Sequence, residues 1–409
     1  MSKIISKPII PGASWTDGYL LTQQYCIGRT FPAGVLGRYR FINRKPDEFL
    51  FPEGFTANLN RQIEMMSEMA PRQKDIEHLK KYWPFLPESY LSSYQSYRFD
   101  PGEIKLLRQN GGQLELDIEA PLWRGCLWET PLSSTITGLH STMWGIELDD
   151  ECMDRTRQKA RLIEKYRLFF SYFACRRSHL PESDYRILQE LVSRAGDFIV
   201  GASNIHLSAD LDLKPIGTMA HFLVQAHAAL YGYRNANRMM MSNWLDTYGT
   251  NLGTVLPDTF TTPVFLRDFN QVFAQLFSGW RHDSGSAFVE VDRFYNHYVD
   301  LGIEPYTKQG IFSNLRSVEE AVEIARFVRN GDWKGENRAV NWKCQDAYGA
   351  GGAFAYDILG VPAPNFVIKL TDVFVPGWGW IPVVKLSNNR GKNIGSLDAI
   401  EHCKRDLYL

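Results

Sequence analysis

His221 follows Gly217-Thr218-Met219-Ala220 and opens a stretch with helical periodicity. A helix N-terminus carries partial positive charge and free N–H groups, which lower an imidazole pKa and keep the ring neutral. A neutral imidazole can attack phosphorus, and the same N–H groups then stabilise the phosphate it receives. By spacing alone, a histidine hydrogen-bonded at a helix cap fits better than a nucleophile. Arg281-His282-Asp283-Ser284-Gly285 gathers a cation, a carboxylate, a hydroxyl and a glycine in one turn. That set suits a polyanion with a bound metal, Arg281 on phosphate and Asp283 on Mg²⁺ or its waters. It suits a turn with an internal Arg–Asp pair equally well. Gly349-Ala350-Gly351-Gly352 would let backbone approach phosphate oxygens, a weak signal by itself. Arg176-Arg177 is a further cation step, slightly better read as solvated than as a phosphate ligand. The chain holds no GxxxxGK[ST] and no HExxH, which excludes an ordinary P-loop nucleotidase and a zincin.

The elements that must position these groups lie between about 195 and 355. Short apolar runs at 198–200, 215–216, 253–256, 279–280, 310–312 and 340–348 each end in small or polar residues. Helical stretches follow most of them, at 221–239, 264–277 and 288–298, and from a capping box at Ser317 to Val328. Alternating strand and helix calls for parallel strands, and in a (β/α) barrel the residues past the strand ends form one active face. Residues 105–120 alternate around Asn110-Gly111-Gly112, a hairpin signal, whereas 151–172 read as one amphipathic helix. The first 150 residues otherwise look irregular and strand-like, and 365–370 and 381–386 read as strands. Both ends are therefore expected to be β-rich.

Length and composition bound the rest. At 409 residues, 44% apolar and with 45 basic against 46 acidic side chains, the chain can bury a sizeable core in two or three domains. A net charge of −1 gives no bulk attraction to nucleic acid or an acidic membrane. Six scattered cysteines without a CxxC pair, no leader-like start and no long apolar run imply reduced thiols and a soluble cytoplasmic protein.

In order along the chain, several segments resemble nicotinate phosphoribosyltransferase of the bacterial ATP-coupled type. They are Thr16-Asp17-Gly18-Tyr19, Glu129-Thr130-Pro131-Leu132, Phe173-Ala174-Cys175-Arg176-Arg177 and Gly201-Ala202-Ser203-Asn204. Gly217-Thr218-Met219-Ala220-His221, Leu256-Pro257-Asp258-Thr259-Phe260, Arg281 to Gly285 and Lys385-Leu386-Ser387 through Gly391-Lys392 complete the series. The resemblance implies an α/β protein: an irregular (β/α) barrel over 151–359 and an α+β domain from residues 1–150 joined by the tail 360–409. It also implies a homodimer with shared active sites, Tyr19 of a neighbouring subunit and Phe173 sandwiching the pyridine ring. Arg176, Arg281 and Ser284 would hold phosphates; Ser203, Asn204, Thr218, Ser313, Gly349, Gly351 and Gly352 would contact substrates. ATP would phosphorylate His221, with Mg²⁺ beside Asp283, which would also orient the histidine.

Met219 offers no acceptor for an amide and so points to the acid substrate. Several positions depart from the family pattern: Leu20, Phe222, Ser286, Asn314, Arg316 and Gly352. If these touch substrate, activity is altered. The Gly351-Gly352 loop motivates nicotinamide as alternative substrate, and Asn314 and Arg316 motivate an impaired homologue that only binds a pyridine compound.

Overall fold

A computed structural model of the chain describes residues 4–330, 332–333, 336–337, 343–388 and 393–409. Among them the strands are, in chain order, β1 (Leu36–Asn43), β2 (Ile104–Asn110), β3 (Gln113–Pro121), β4 (Phe170–Tyr172), β5 (Ile199–Ala202) and β6 (Thr254–Val255). They continue with β7 (Gly279–His282), β8 (Gln309–Phe312), β9 (Asp332–Trp333), β10 (Glu336–Asn337), β11 (Gln345–Ala350), β12 (Phe366–Val375) and β13 (Gly379–Pro382).

Two sheets carry the site. The first is antiparallel, in the order β13-β12-β1-β3-β2, and so draws strands from both ends of the chain. Its β2–β3 hairpin turns at Gly111 and Gly112, whose φ of 54° and 79° match the left-handed pair a two-residue hairpin requires. Along β3 every second residue from Leu114 to Ala120 is buried, the period-2 pattern of a half-covered sheet. The second sheet is wholly parallel, in the order β5-β4-β11-β8-β7-β6, with helices in the crossovers. It forms the irregular barrel; β5 and β6 are not paired with each other, so the barrel stays incomplete on that side.

Several expectations need correction. The helix foreseen over 151–172 stops at Tyr166, where Arg167 takes up φ 51°, and Phe170–Tyr172 is the strand β4. Aromatic residues buried on both sides fit a central parallel strand better than a helix face. The run 215–216 is a single bridge, Pro215 beside Ala202, not a strand of the sheet. Gly232, at φ 75°, splits the stretch 221–239 into helices His221–Tyr231 and Tyr233–Tyr248. Asn270 breaks 264–277 by capping a new helix, its side chain accepting from Phe273 N at 3.1 Å. Residues 340–342 and the motif pair Gly391-Lys392 lie outside the described residues.

The first 150 residues are largely helical, with helices at Gly18–Thr30, Phe55–Ser67, Gln73–Tyr82, Glu88–Gln95 and Glu129–Trp144. The last of these is buried from Glu129 to Ser141 and so lacks the polar stripe that reveals a helix in sequence. No described helix is long and apolar enough to cross a membrane, and all six cysteines are buried free thiols.

Candidate active site

The loops at the C-terminal ends of the parallel strands meet the antiparallel sheet around a cavity of about 220 Å³. β4 delivers Phe173, Arg176 and Arg177; β5 delivers Ser203; β7 delivers Arg281, Asp283 and Ser284; β8 delivers Ser313 and Asn314; β11 delivers Gly351. Gly217, Thr218, Ala220 and His221 come from the crossover after β5, and Asp17 and Tyr19 from the start of the first helix. The antiparallel sheet and the tail add Arg44, Lys369 and Lys385. Among the described residues, six cations against two carboxylates, Asp17 and Asp283, line the space, so the chamber favours a polyanion.

His221 is the first residue of the helix His221–Tyr231 and is buried. Its Nδ1 lies 3.1 Å from Thr259 Oγ1, outside the cavity lining. Its Nε2 lies 2.9 Å from Asp283 Oδ2, 2.8 Å from Lys385 Nζ and 3.7 Å from Asp258 Oδ1. Burial, reinforced by the Lys385 charge, lowers the imidazole pKa below its ordinary value. Two neutral tautomers are open to the ring: with Nδ1–H given to Thr259, Nε2 accepts from Lys385, and with the proton on Nε2 it is given to Asp283 Oδ2. Burial opposes ionisation of Asp283, but the His221 hydrogen bond and the charges of Arg281 and Lys385 outweigh it and hold the carboxyl well below its usual range. Lys385 arrives because the tail pairs with the loop after β6: Leu386 N donates to Thr259 O at 2.7 Å.

A second network fixes the aromatic side of the chamber. Tyr19 Oη donates to Glu129 Oε2 at 2.8 Å, and Glu129 Oε1 accepts from Arg176 at 3.1 Å and Lys369 at 2.9 Å. Burial would raise the Glu129 pKa; the Lys369 and Arg176 charges prevail and bring it to about 2. Arg176 also lies 3.6 Å from Asp17 and spreads over the Tyr19 ring at 5.7 Å. Gly217 is required here, since a Cβ would sit 2.5 Å from the Tyr19 backbone nitrogen. Gly349 is required likewise: a Cβ there would meet the Phe173 ring at 2.5 Å. Arg44, Arg177 and Arg281, in contrast, have no side-chain ion pair among the described residues, and Arg281 Nε is buried without a hydrogen-bond partner. Burial and the charges of Arg176 and Arg44 push the Arg177 pKa down to about 10. These are cations whose natural counter-charge is a ligand.

The structure therefore brings together His221, Asp283, Arg281, Tyr19, Phe173, Arg176, Ser203, Thr218, Ser284, Ser313 and Gly351. Asn204 is different: it is fully buried behind the chamber, capping the helix Ile205–Asp210 through Leu207 N at 3.0 Å. Gly349 acts through Phe173 and is not among the cavity-lining residues, and Gly352 opens the short helix Gly352–Ala355. Tyr19 lines the chamber of its own chain. Met219 is buried and is not among the residues that line the chamber. Most departures from the family pattern also fall outside the chamber. Leu20 and Phe222 are core residues, Ser286 is exposed, and Arg316 is exposed and paired with Glu320 at 3.3 Å. Asn314, in contrast, borders the cavity.

Several contributors escaped the reading of single residues, Lys369 on β12 among them. Glu129, Asp258 and Lys385 stood inside quoted motifs without a role, and Arg44 carried no signal at all. Ser284 Oγ donates to Asp258 Oδ2 at 2.5 Å, while Asp258 Oδ1 is buried without a partner. His221, Asp258 and Asp283 place their ligand atoms within 4.8 Å of one another.

Comparison with known proteins agrees with this architecture. A profile of the nicotinate phosphoribosyltransferase (NAPRTase) family matches residues 169–407, and one of its N-terminal domain matches residues 15–137. The nicotinate phosphoribosyltransferase of Chromohalobacter salexigens is 35% identical over 96% of this chain and 97% of its own, and that of Desulforapulum autotrophicum 32% over 96% and 97%. The crystal structure of the Porphyromonas gingivalis enzyme superposes with a TM-score of 0.91 at 32% identity, covering 98% of this chain and all of that one. The Vibrio cholerae structure gives 0.86 at 26% identity, covering 99% and 95%. With both profiles matched and the relatives aligned end to end, the chain belongs to the nicotinate phosphoribosyltransferase family.

Proposed function

We propose that the chain joins nicotinate to phosphoribosyl pyrophosphate, forming nicotinate mononucleotide and pyrophosphate for NAD biosynthesis, and that ATP phosphorylates His221 during turnover. The observation that carries this reading is a single chamber holding three arginines that have no ion pair among the described residues, beside the Nε2 of a buried, neutral histidine. In the synthetic step the pyridine nitrogen forms a bond to ribose C1 as the C1–O bond to pyrophosphate breaks. The pyridine nitrogen is unprotonated at neutral pH, so no base is needed, and catalysis rests on positioning and on neutralising the leaving charge. Tyr19 and Phe173 offer ring faces to the pyridine, and the cations of the lining offer partners to its carboxylate. In the coupling step Nε2 attacks the γ-phosphorus, ADP leaves, and water later releases orthophosphate. Thr259 keeps the Nδ1–H in place, and Lys385 neutralises the arriving phosphoryl oxygens.

The carboxylates of Asp258 and Asp283 fit a Mg²⁺ ion, the unpartnered Oδ1 of Asp258 above all. Such an ion would screen the phosphate charge. Purified protein given labelled nicotinate, phosphoribosyl pyrophosphate and Mg²⁺ should form the mononucleotide, faster with ATP. Nicotinamide in the same assay should give at most a small fraction of that rate. Absence of product under every condition would refute the reading.

A further inference from the structure

One helical turn beyond His221 a second cavity opens, of about 510 Å³, between the helix His221–Tyr231, the end of β13 and the C-terminal helix Leu397–Leu407. Gln225, Ala228 and Ala229 border it, a spacing of three and four residues that marks one helix face, and His221 precedes Gln225 by four on that face. Ile381 and Val383 border it from the tail, and Lys385 follows Val383 by two. The cavity is therefore walled by the two elements that hold His221 Nε2 and Lys385 Nζ 2.8 Å apart. Among the described residues, none lines both this cavity and the chamber.

Gln225 sets the chemistry. It is 1% exposed, and neither its Oε1 nor its Nε2 has a hydrogen-bond partner among the described residues. A buried carboxamide left bare costs free energy that a ligand recovers by bonding it. A second primary carboxamide satisfies both atoms at once, since it sets an acceptor beside a donor. The walls next to Gln225 are aliphatic, and the Tyr233 ring adds a flat face. On the exposed side Asp398 and Asp406 outnumber Arg405, which disfavours a carboxylate, the group that the cations of the chamber attract.

We propose that this cavity is a regulatory site for a planar ring that carries a primary carboxamide, with Gln225 as its anchor. Its effect rests on the reading that ATP phosphorylates His221. A phosphoryl group on Nε2 has to enter where Lys385 Nζ stands, so the helix and the tail must give way. An occupant gripped by both resists that movement and slows phosphorylation.

The probe is nicotinamide, titrated calorimetrically into the purified chain with nicotinate at saturation so that the chamber is filled. The wild type should bind it, and N,N-dimethylnicotinamide, which has lost both donors, should not bind. Gln225→Leu should weaken nicotinamide about tenfold or more, the worth of the lost hydrogen bonds. Because that variant exchanges a bare buried amide for an apolar group of similar size, it should melt no lower than the wild type. Ile381→Trp fills the cavity from the strand side and should weaken nicotinamide as much. Saturating nicotinamide should slow ATP hydrolysis by the wild type about twofold or more, and leave Gln225→Leu unaffected. Nicotinamide that nicotinate displaces completely, or that binds both variants as tightly as the wild type, would overturn the assignment. ATP hydrolysis unchanged by bound nicotinamide would overturn the regulatory role. Wild-type protein that hydrolyses no ATP would instead refute the reading of His221, and the calorimetric arms would still decide the site.

Discussion

At the residue scale, the account turns on why one imidazole of nine stays neutral and reachable. His221 owes its lowered pKa to burial first and to Lys385 second, at 2.8 Å. The helix N-terminus that drew attention to it in sequence supplies its position. Lys385→Met removes the cation, so the imidazole should gain a proton at higher pH than in the wild type. The sign follows directly: the neutral ring is the nucleophile, so the acid limb of ATP hydrolysis should move to higher pH in the variant. A pH–rate profile of ATP hydrolysis checks this, and an unshifted acid limb would deny Lys385 its role. Arg281, with Nε unpartnered, should matter through charge-assisted contacts worth about 1.5–3 kcal/mol. Arg281→Gln should therefore raise KM for phosphoribosyl pyrophosphate about tenfold or more, while the melting temperature stays nearly unchanged. The sequence announced His221 and Arg281 because motif spacing sets them at strand ends. It was silent on Arg44, one exposed cation among many, whose role exists only because the sheet edge meets the barrel mouth.

At the element scale, the loop after β4 is the most heavily tethered part of the site. Phe173 N donates to Ala350 O at 2.7 Å, Ser134 Oγ donates to Cys175 O, and Tyr172 and Ser178 both donate to the fully buried Asp184. Burial pushes the Asp184 carboxyl up to about 7, against the partial opposition of those hydroxyls. A carboxyl raised in the folded state favours the protonated protein, so its contribution to stability declines as pH rises from about 4 to about 7. Asp184→Asn should flatten that decline in a melting series, and a variant with the wild-type pH dependence would contradict it. Gly349→Ala should push the Phe173 ring out of place, raising KM for nicotinate more than KM for phosphoribosyl pyrophosphate; equal effects on both would contradict the packing argument. The strand–loop–helix rhythm of the barrel was legible because each parallel strand is a short apolar run closed by small polar residues. β4 was not, since its aromatic residues continued an amphipathic pattern across the break at Arg167. The N-terminal helices were missed for a related reason: burial around most of the Glu129–Trp144 helix leaves no stripe to read.

At the scale of the whole molecule, the chamber is assembled from segments spread along the whole chain. Strands from both ends of the polypeptide form the sheet that closes the barrel mouth, bringing Arg44, Lys369 and Lys385 to residues far away in sequence. The central claim is that His221 carries a phosphoryl group that is discharged in step with synthesis. Its most direct test is a pulse and chase. Protein loaded with γ-labelled ATP and freed of nucleotide is mixed with nicotinate and phosphoribosyl pyrophosphate, and protein-bound label and mononucleotide are followed together. We predict an acid-labile, alkali-stable label, absent from His221→Ala, that leaves as orthophosphate as mononucleotide accumulates. Label that never exceeds the His221→Ala level, or that stays on the protein while product forms, would contradict the account.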